Sequence, residues 1–179
     1  MNERYFLELR QKTEAEWARC EVNPTLYGYQ IQRGTCWNPG LTSTEIEQYE
    51  AAVRARFPDD FRLMLKIMNG TDRPTLNVYG NSGYPHQTGI GVYSYPRDLE
   101  AVKARMREVD RDRNQIELEL ESQGYSLAPS AVLVPVFAHR FVVCGSDPRQ
   151  STVLSIEGLD AIVYADSLPA YLEQEFLHG

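Results

Sequence analysis

The sequence predicts an α+β fold, a single domain in which an antiparallel β-sheet is flanked by helices. Three observations lead there. Helical spacing dominates the first seventy residues; short extended pieces rich in Val, Ile and Tyr, bounded by Gly, Pro and Asp, fill much of the middle and back; one more helical stretch closes the chain. Helices and strands that are grouped rather than alternating argue against a wound parallel sheet. At 179 residues, with 42% hydrophobic side chains, the chain has the size of one domain with a substantial core.

Taken in order, Tyr5, Phe6, Leu9, Thr13, Trp17 and Cys20 recur at helical spacing and predict an amphipathic helix that Asn23-Pro24 stops. From there to Gly40 the pattern is irregular, and Tyr27, Tyr29, Cys36 and Trp37 among glycines predict a packed connector with one short strand. Residues 1–40 therefore form an N-terminal helix and connector, and residues 41–179 the main body of the domain. The segment "LTSTEIEQYEAAVRARF" opens on a capping box, in which Thr42 and Glu45 satisfy each other's amides. Leu41 and Ile46 stand where a hydrophobic staple needs them, and Ile46, Tyr49, Val53 and Phe57 give the buried face.

The next stretch, "FPDDFRLMLKIMNG", has the look of a carboxylate dyad, but each residue type has a structural role. Pro58 suits a first helical turn, Asp59 and Asp60 favour the positive end of the dipole, and Phe61, Met64, Leu65 and Met68 form a stripe. Gly70 after Asn69 is the expected left-handed closing residue. "LNVYG" and "IGVYSY" then predict strands separated by the turn-rich "NSGYPHQTG". A charged helical insertion follows over 97–121, with Leu99, Val102, Met106 and Val109 on one face; its "QIELELE" alternates like a strand while its composition favours helix. "AVLVPVFAHRFVVCGS", "TVLSIEG" and "DAIVYAD" predict the central strands, and "SLPAYLEQEF" a last helix capped by Ser167.

A net charge of −7 and a pI near 5.0 exclude the basic field that nucleic-acid partners require. From Gln150 onward Glu157, Asp160, Asp166, Glu173 and Glu175 occur with no Lys or Arg, which makes either a landing surface for a basic protein or a solvated face. Three cysteines without a CxxC pair predict reduced thiols in a cytoplasmic setting. "MNERYFLELRQK" lacks a secretory apolar core, and "AVLVPVFA" is too short for a bilayer, so no membrane association is expected.

No phosphate loop, GxSxG, HExxH or GxGxxG motif is present, and no cofactor or metal is expected. Cys144 lies five residues after His139, an odd offset that puts the two on opposite faces of a regular strand; His86 and His178 stand apart. His139 and Arg140, with Arg149 in "GSDPRQ", are positioned to converge on a carboxylate, unless Arg140 pairs with an internal acid.

The block "LTSTEIEQYEAAVRARFPDDFRLMLKIMNG" resembles the early part of the SUKH superfamily, an acidic helix followed by a proline-started helix ending in Asn-Gly. "VLSIEGLDAIVYADSLPAYLEQEF" is similar to its late part, strand, glycine turn, strand and final helix, and "AVLVPVFAHRF" looks like the hydrophobic strand upstream of it in bacterial members. The long extension before Leu41 and the charged segment from Arg97 to Glu121 depart from that pattern. The resemblance implies an α+β fold, no catalytic residues, and, as in bacterial members, an immunity protein that binds and neutralises a polymorphic toxin, often a nuclease.

The acidic chain suits a basic toxin domain. Candidate partner-binding residues are Tyr84, Tyr93, Tyr95, His139, Arg140 and Arg149, chosen because they fall in turns or at strand ends. The alternatives are a regulatory scaffold of the Smi/Knr type and, last, an enzyme using Cys144 or Cys36.

Overall fold

Alternation along four strands builds the core. In the computed structural model, which describes residues 2–177, β6 (Val132–Phe137), β7 (Arg140–Cys144), β8 (Val153–Glu157) and β9 (Asp160–Ala165) form an antiparallel meander in the order β6-β7-β8-β9. Val134, Val142, Cys144, Val153 and Ala165 point to one face, and Leu133, Phe141, Val143, Leu154, Ile156 and Ala161 to the other. Both faces are apolar, so helices must cover both.

The first face receives α1 (Glu3–Trp17), α2 (Ser43–Val53), α3 (Asp59–Ile67) and α6 (Leu168–Leu177). The second is covered by α5 (Arg113–Ser122), through Ile116 and Leu120, and by Val109 near the end of α4 (Leu99–Arg111). The charged insertion expected over 97–121 is therefore the second helical layer of the core. Its "QIELELE" is helical throughout, because Ile116 and Leu120, four apart, lie on the sheet while Leu118 is exposed.

Helix α1 is integral to the same domain. Phe6, Leu9 and Trp17 enter the main core, each contributing about 1.5–3 kcal/mol by leaving water. Arg10 holds the helix down from its side by donating to the Ile67 and Trp37 carbonyls, both at 2.9 Å. The helix ends at Trp17, ahead of Asn23-Pro24, where the Trp17 carbonyl accepts from the Gly34 amide at 2.7 Å. The connector contains two strands instead of one, β1 (Tyr27–Gln30) and β2 (Trp37–Pro39).

The capping box at Thr42 and Glu45 is present, and Ile46, Tyr49 and Val53 are buried as expected. Phe57 is also buried but lies beyond the helix, after Arg54 takes the left-handed conformation at φ 55°; it packs edge-on against Tyr49. Pro58 is the N-cap of α3, one position earlier than expected. Asp60 accepts a hydrogen bond from the buried Ser151 hydroxyl, whose oxygen accepts from the Leu168 amide at 3.1 Å, so it ties α3 to the start of α6.

Asn69-Gly70 does not close α3. The helix passes directly into β3 (Met68–Thr71), paired with β2, and Gly70 sits inside that strand at φ 69°. A Cβ at Gly70 would meet the Val92 and Tyr93 carbonyl oxygens at 2.6 Å, so the close passage of the chain at 92–93 requires the glycine. That passage joins the β2-β3 pair to the meander: the Thr71 amide donates to the Val92 carbonyl, and the Tyr93 amide to the Val136 carbonyl. Val92 also bridges Phe137.

The expected strand in "IGVYSY" thus reduces to this bridge. A short strand, β5 (Gln87–Gly89), occurs instead within "NSGYPHQTG" and pairs with β4 (Thr75–Tyr79), giving a separate three-stranded sheet β1-β4-β5. Backbone pairing across β4 outweighed the turn propensity of its residues. His178 lies outside the described residues.

Candidate functional site: an aromatic groove with a polar floor

Where α1 ends, the chain turns through residues 19–26 into β1 and leaves a groove of about 480 Å³ against the C-terminal end of α6. Trp17, Leu26, Tyr27, Tyr29, Ile31, Phe137 and Phe176 supply its apolar lining. The aromatic rings interlock: Trp17 meets Phe176 edge-on at 5.5 Å, Phe176 meets Phe137 at 5.4 Å, and Phe137 meets Tyr29 at 6.3 Å. Such edge-to-face contacts each contribute about 0.5–1.5 kcal/mol beyond the area they bury.

A row of tyrosines extends the groove over the small sheet. Tyr27, 75% exposed, meets Tyr79 across the β1-β4 pair at 5.8 Å, and Tyr79 meets Tyr84, 71% exposed, at 6.3 Å. Leu26 is exposed beside them. Solvent-facing aromatic and apolar side chains in contiguous array mark interaction surfaces.

Beneath the groove lies a buried polar cluster. Arg140 stacks over the Tyr164 ring at 3.8 Å, donates to Ser155 at 2.7 Å and approaches Glu175 at 3.5 Å. Its side chain is 13% exposed and that of Glu175 17%. The Glu175 Oε2, Arg140 Nε and Tyr171 hydroxyl are buried without a hydrogen-bond partner. Burial raises the Glu175 carboxyl above its usual range, and Arg140 offsets this only in part. Burial also pushes the Tyr171 hydroxyl well up.

The charged groups lining the groove are Glu16, Glu21, Glu175 and Arg19. Arg19 is committed to Glu16 at 3.3 Å and to the Ala15 carbonyl.

Of the six sequence-derived candidates, Tyr84 belongs to the exposed row, and His139 borders the groove with its ring 6.1 Å from Tyr29. Burial, then the neighbouring Arg140 charge, lower the His139 pKa and keep the imidazole neutral near pH 7. Tyr95 is half-buried, stacked on Tyr49 at 4.8 Å, and its amide donates to Asn69. Tyr93 is half-buried against the main core. Exposure, the reason for choosing these two, is thus only partial.

Arg140 has found its internal acid, Glu175. Arg149 is exposed and forms a paired contact with Asp147 in its own turn. The expected convergence of His139, Arg140 and Arg149 does not occur. His139 and Arg140 stand at the start of β7 and Arg149 lies in the connection beyond its end, roughly 13 Å of strand away.

Trp17, Leu26, Tyr27 and Tyr29 were not candidates, although for Tyr27 and Tyr29 the density of aromatic residues among glycines in the connector was a visible signal. Cys144 is buried in β7 and burial pushes its thiol far above the ordinary value, an environment that disfavours the thiolate; Cys36 is exposed. Among the described residues no cluster of three or more His, Cys, Asp or Glu is disposed to hold a metal, and no helix is long and apolar enough to cross a membrane. No protein-family model matches the chain, and a search of curated proteins returns no match.

Proposed function

We propose that this chain is a protein-binding module acting inside the cell as an immunity protein, one that captures a basic toxin domain and holds it inactive. The observation that carries the reading is the continuous aromatic surface from Tyr84 through Tyr79 and Tyr27 into the groove, with carboxylates along its lining. Aromatic anchors at the centre of an interface supply most of its energy, and an acidic surround speeds the capture of a cationic partner. The likeness of two blocks of the sequence to the SUKH superfamily supports the same reading, and its helices α2, α3 and α6 all pack on one face of the sheet.

The test is to look for a toxin domain encoded immediately beside this gene and to co-express the two, scored by cell survival and by co-purification. Survival with a stable complex supports the reading. In that complex Tyr27→Ala with Tyr84→Ala is expected to weaken binding by about 2 kcal/mol or more, roughly thirtyfold in Kd. Continued killing, or recovery of only endogenous regulatory proteins, overturns it in favour of a scaffold.

A further inference from the structure

We infer that the groove receives an arginine or lysine side chain of a protein partner, its apolar stem lying on Trp17, Tyr29 and Phe176 and its charged head meeting the carboxylates of Glu21 and Glu175. This rests on the protein-binding reading above and names the partner chemistry of the same site.

Four observations converge on a cation. The lining is aromatic, and ring faces attract a guanidinium or an ammonium while the alkyl stem buries against them. Arg19, the basic lining residue, is already held by Glu16 and the Ala15 carbonyl, which leaves Glu21 as an exposed, uncommitted carboxylate. Glu175 also lines the groove, and its carboxylate is only partly offset by Arg140, whose Nε stands 3.5 Å from Oε2, so a second cation at the groove side adds to its neutralisation.

The cluster itself shows how this fold holds a guanidinium: Arg140 sits between an aromatic face, a hydroxyl and a carboxylate. A volume of about 480 Å³ accommodates a long side chain with part of its flanking backbone. Anionic ligands meet unfavourable carboxylates here. A second copy of the chain, itself at −7, meets net repulsion.

The test is a titration of the ¹⁵N-labelled full chain, followed by amide and indole shifts, with acetyl-Leu-Arg-Leu-amide, its Gln and Glu analogues, and free spermidine. With the Arg peptide the expected result is saturable shifts at the Trp17 indole and at Cys20, Tyr29 and Phe176, at Kd values on the order of millimolar. The Gln analogue is expected to bind at least about fivefold more weakly and the Glu analogue more weakly still. Glu21→Lys, on an exposed side chain that leaves the fold intact, is expected to reduce Arg-peptide binding by a similar factor, and Glu175→Gln provides an independent second variant.

Equal binding of the Arg and Gln peptides, shifts centred elsewhere, or no shift up to ~10 mM overturns the inference. Tighter binding of spermidine than of the peptide overturns the assignment to a protein side chain. A toxin domain captured as tightly by Glu21→Lys and Glu175→Gln as by the wild type refutes this inference and leaves the immunity reading standing. Peptide binding without toxin neutralisation does the reverse.

Discussion

Replacing Arg140 by leucine probes the polar floor most directly. Arg140 Nε and Glu175 Oε2 are 3.5 Å apart, an attraction of about 5 kcal/mol at an effective dielectric constant near 20. Most of that offsets the desolvation of the two ions, so the pair adds little net stability. Removing one partner is different, because the carboxylate stays buried without its counter-charge; breaking such a pair costs about 3 kcal/mol or more.

The stacking on Tyr164 adds about 1 kcal/mol, and leucine recovers part of the loss through its own burial. A net loss of about 3 kcal/mol in a 179-residue domain lowers Tm by about 8 °C.

The dependence on pH separates this cause from simple packing. The Glu175 carboxyl is already raised above its ordinary 4.5 by burial, with Arg140 pulling it back; without Arg140 it rises further. A carboxyl raised in the folded state contributes stability that is fully present below its unfolded pKa and is lost as pH rises through the folded pKa. The variant should therefore approach the wild type near pH 4.5 and fall away from it toward pH 7.

Urea denaturation followed by the fluorescence of Trp17 and Trp37, both in the core, measures this at each pH. The double variant Arg140→Leu/Glu175→Leu should recover to within about 1 kcal/mol of the wild type at pH 7. A loss for Arg140→Leu that is independent of pH, or a double variant as unstable as the single, would refute the reasoning.

Gly70→Ala should destabilise the fold by about 3 kcal/mol or more, since the residue lies at φ 69° and the new Cβ would press on two backbone oxygens at 2.6 Å; the shift in urea midpoint reads this directly. Iodoacetamide should label Cys36 first, Cys20 slowly and Cys144 only in denaturant, because Cys36 is exposed, burial raises the Cys20 thiol, and Cys144 is buried; peptide mass spectrometry orders the three, and early labelling of Cys144 would contradict its place in β7.

Local sequence determined what depends on near neighbours. The Thr42-Glu45 box opened α2 because both partners lie within one turn. The stripe Phe61, Met64 and Leu65 gave α3 its buried face, and the Val/Ile-rich pieces after Ala131 gave the four-stranded meander. Each needs only the 3.6- or 2-residue period of its own element.

Tertiary structure decided the features whose partners are distant in sequence. Asn69-Gly70 carries the signature of a helix end, but Gly70 is required by the backbone of residues 92–93, and Asn69 exchanges hydrogen bonds with Tyr95. Residues 87–89 became a strand because β4 offered an edge to pair with. The charged segment over 97–121 became a layer of the core because the meander is apolar on both faces.

The candidate site follows the same division. Acidity and aromatic density, on which the proposal of a basic protein partner draws, are properties of composition and were visible in the chain. The groove joins Trp17, Tyr29, Phe137 and Phe176, and its floor joins Arg140 to Glu175, thirty-five residues apart. Contacts over such separations are set by how helices dock on a sheet, and no local period records them.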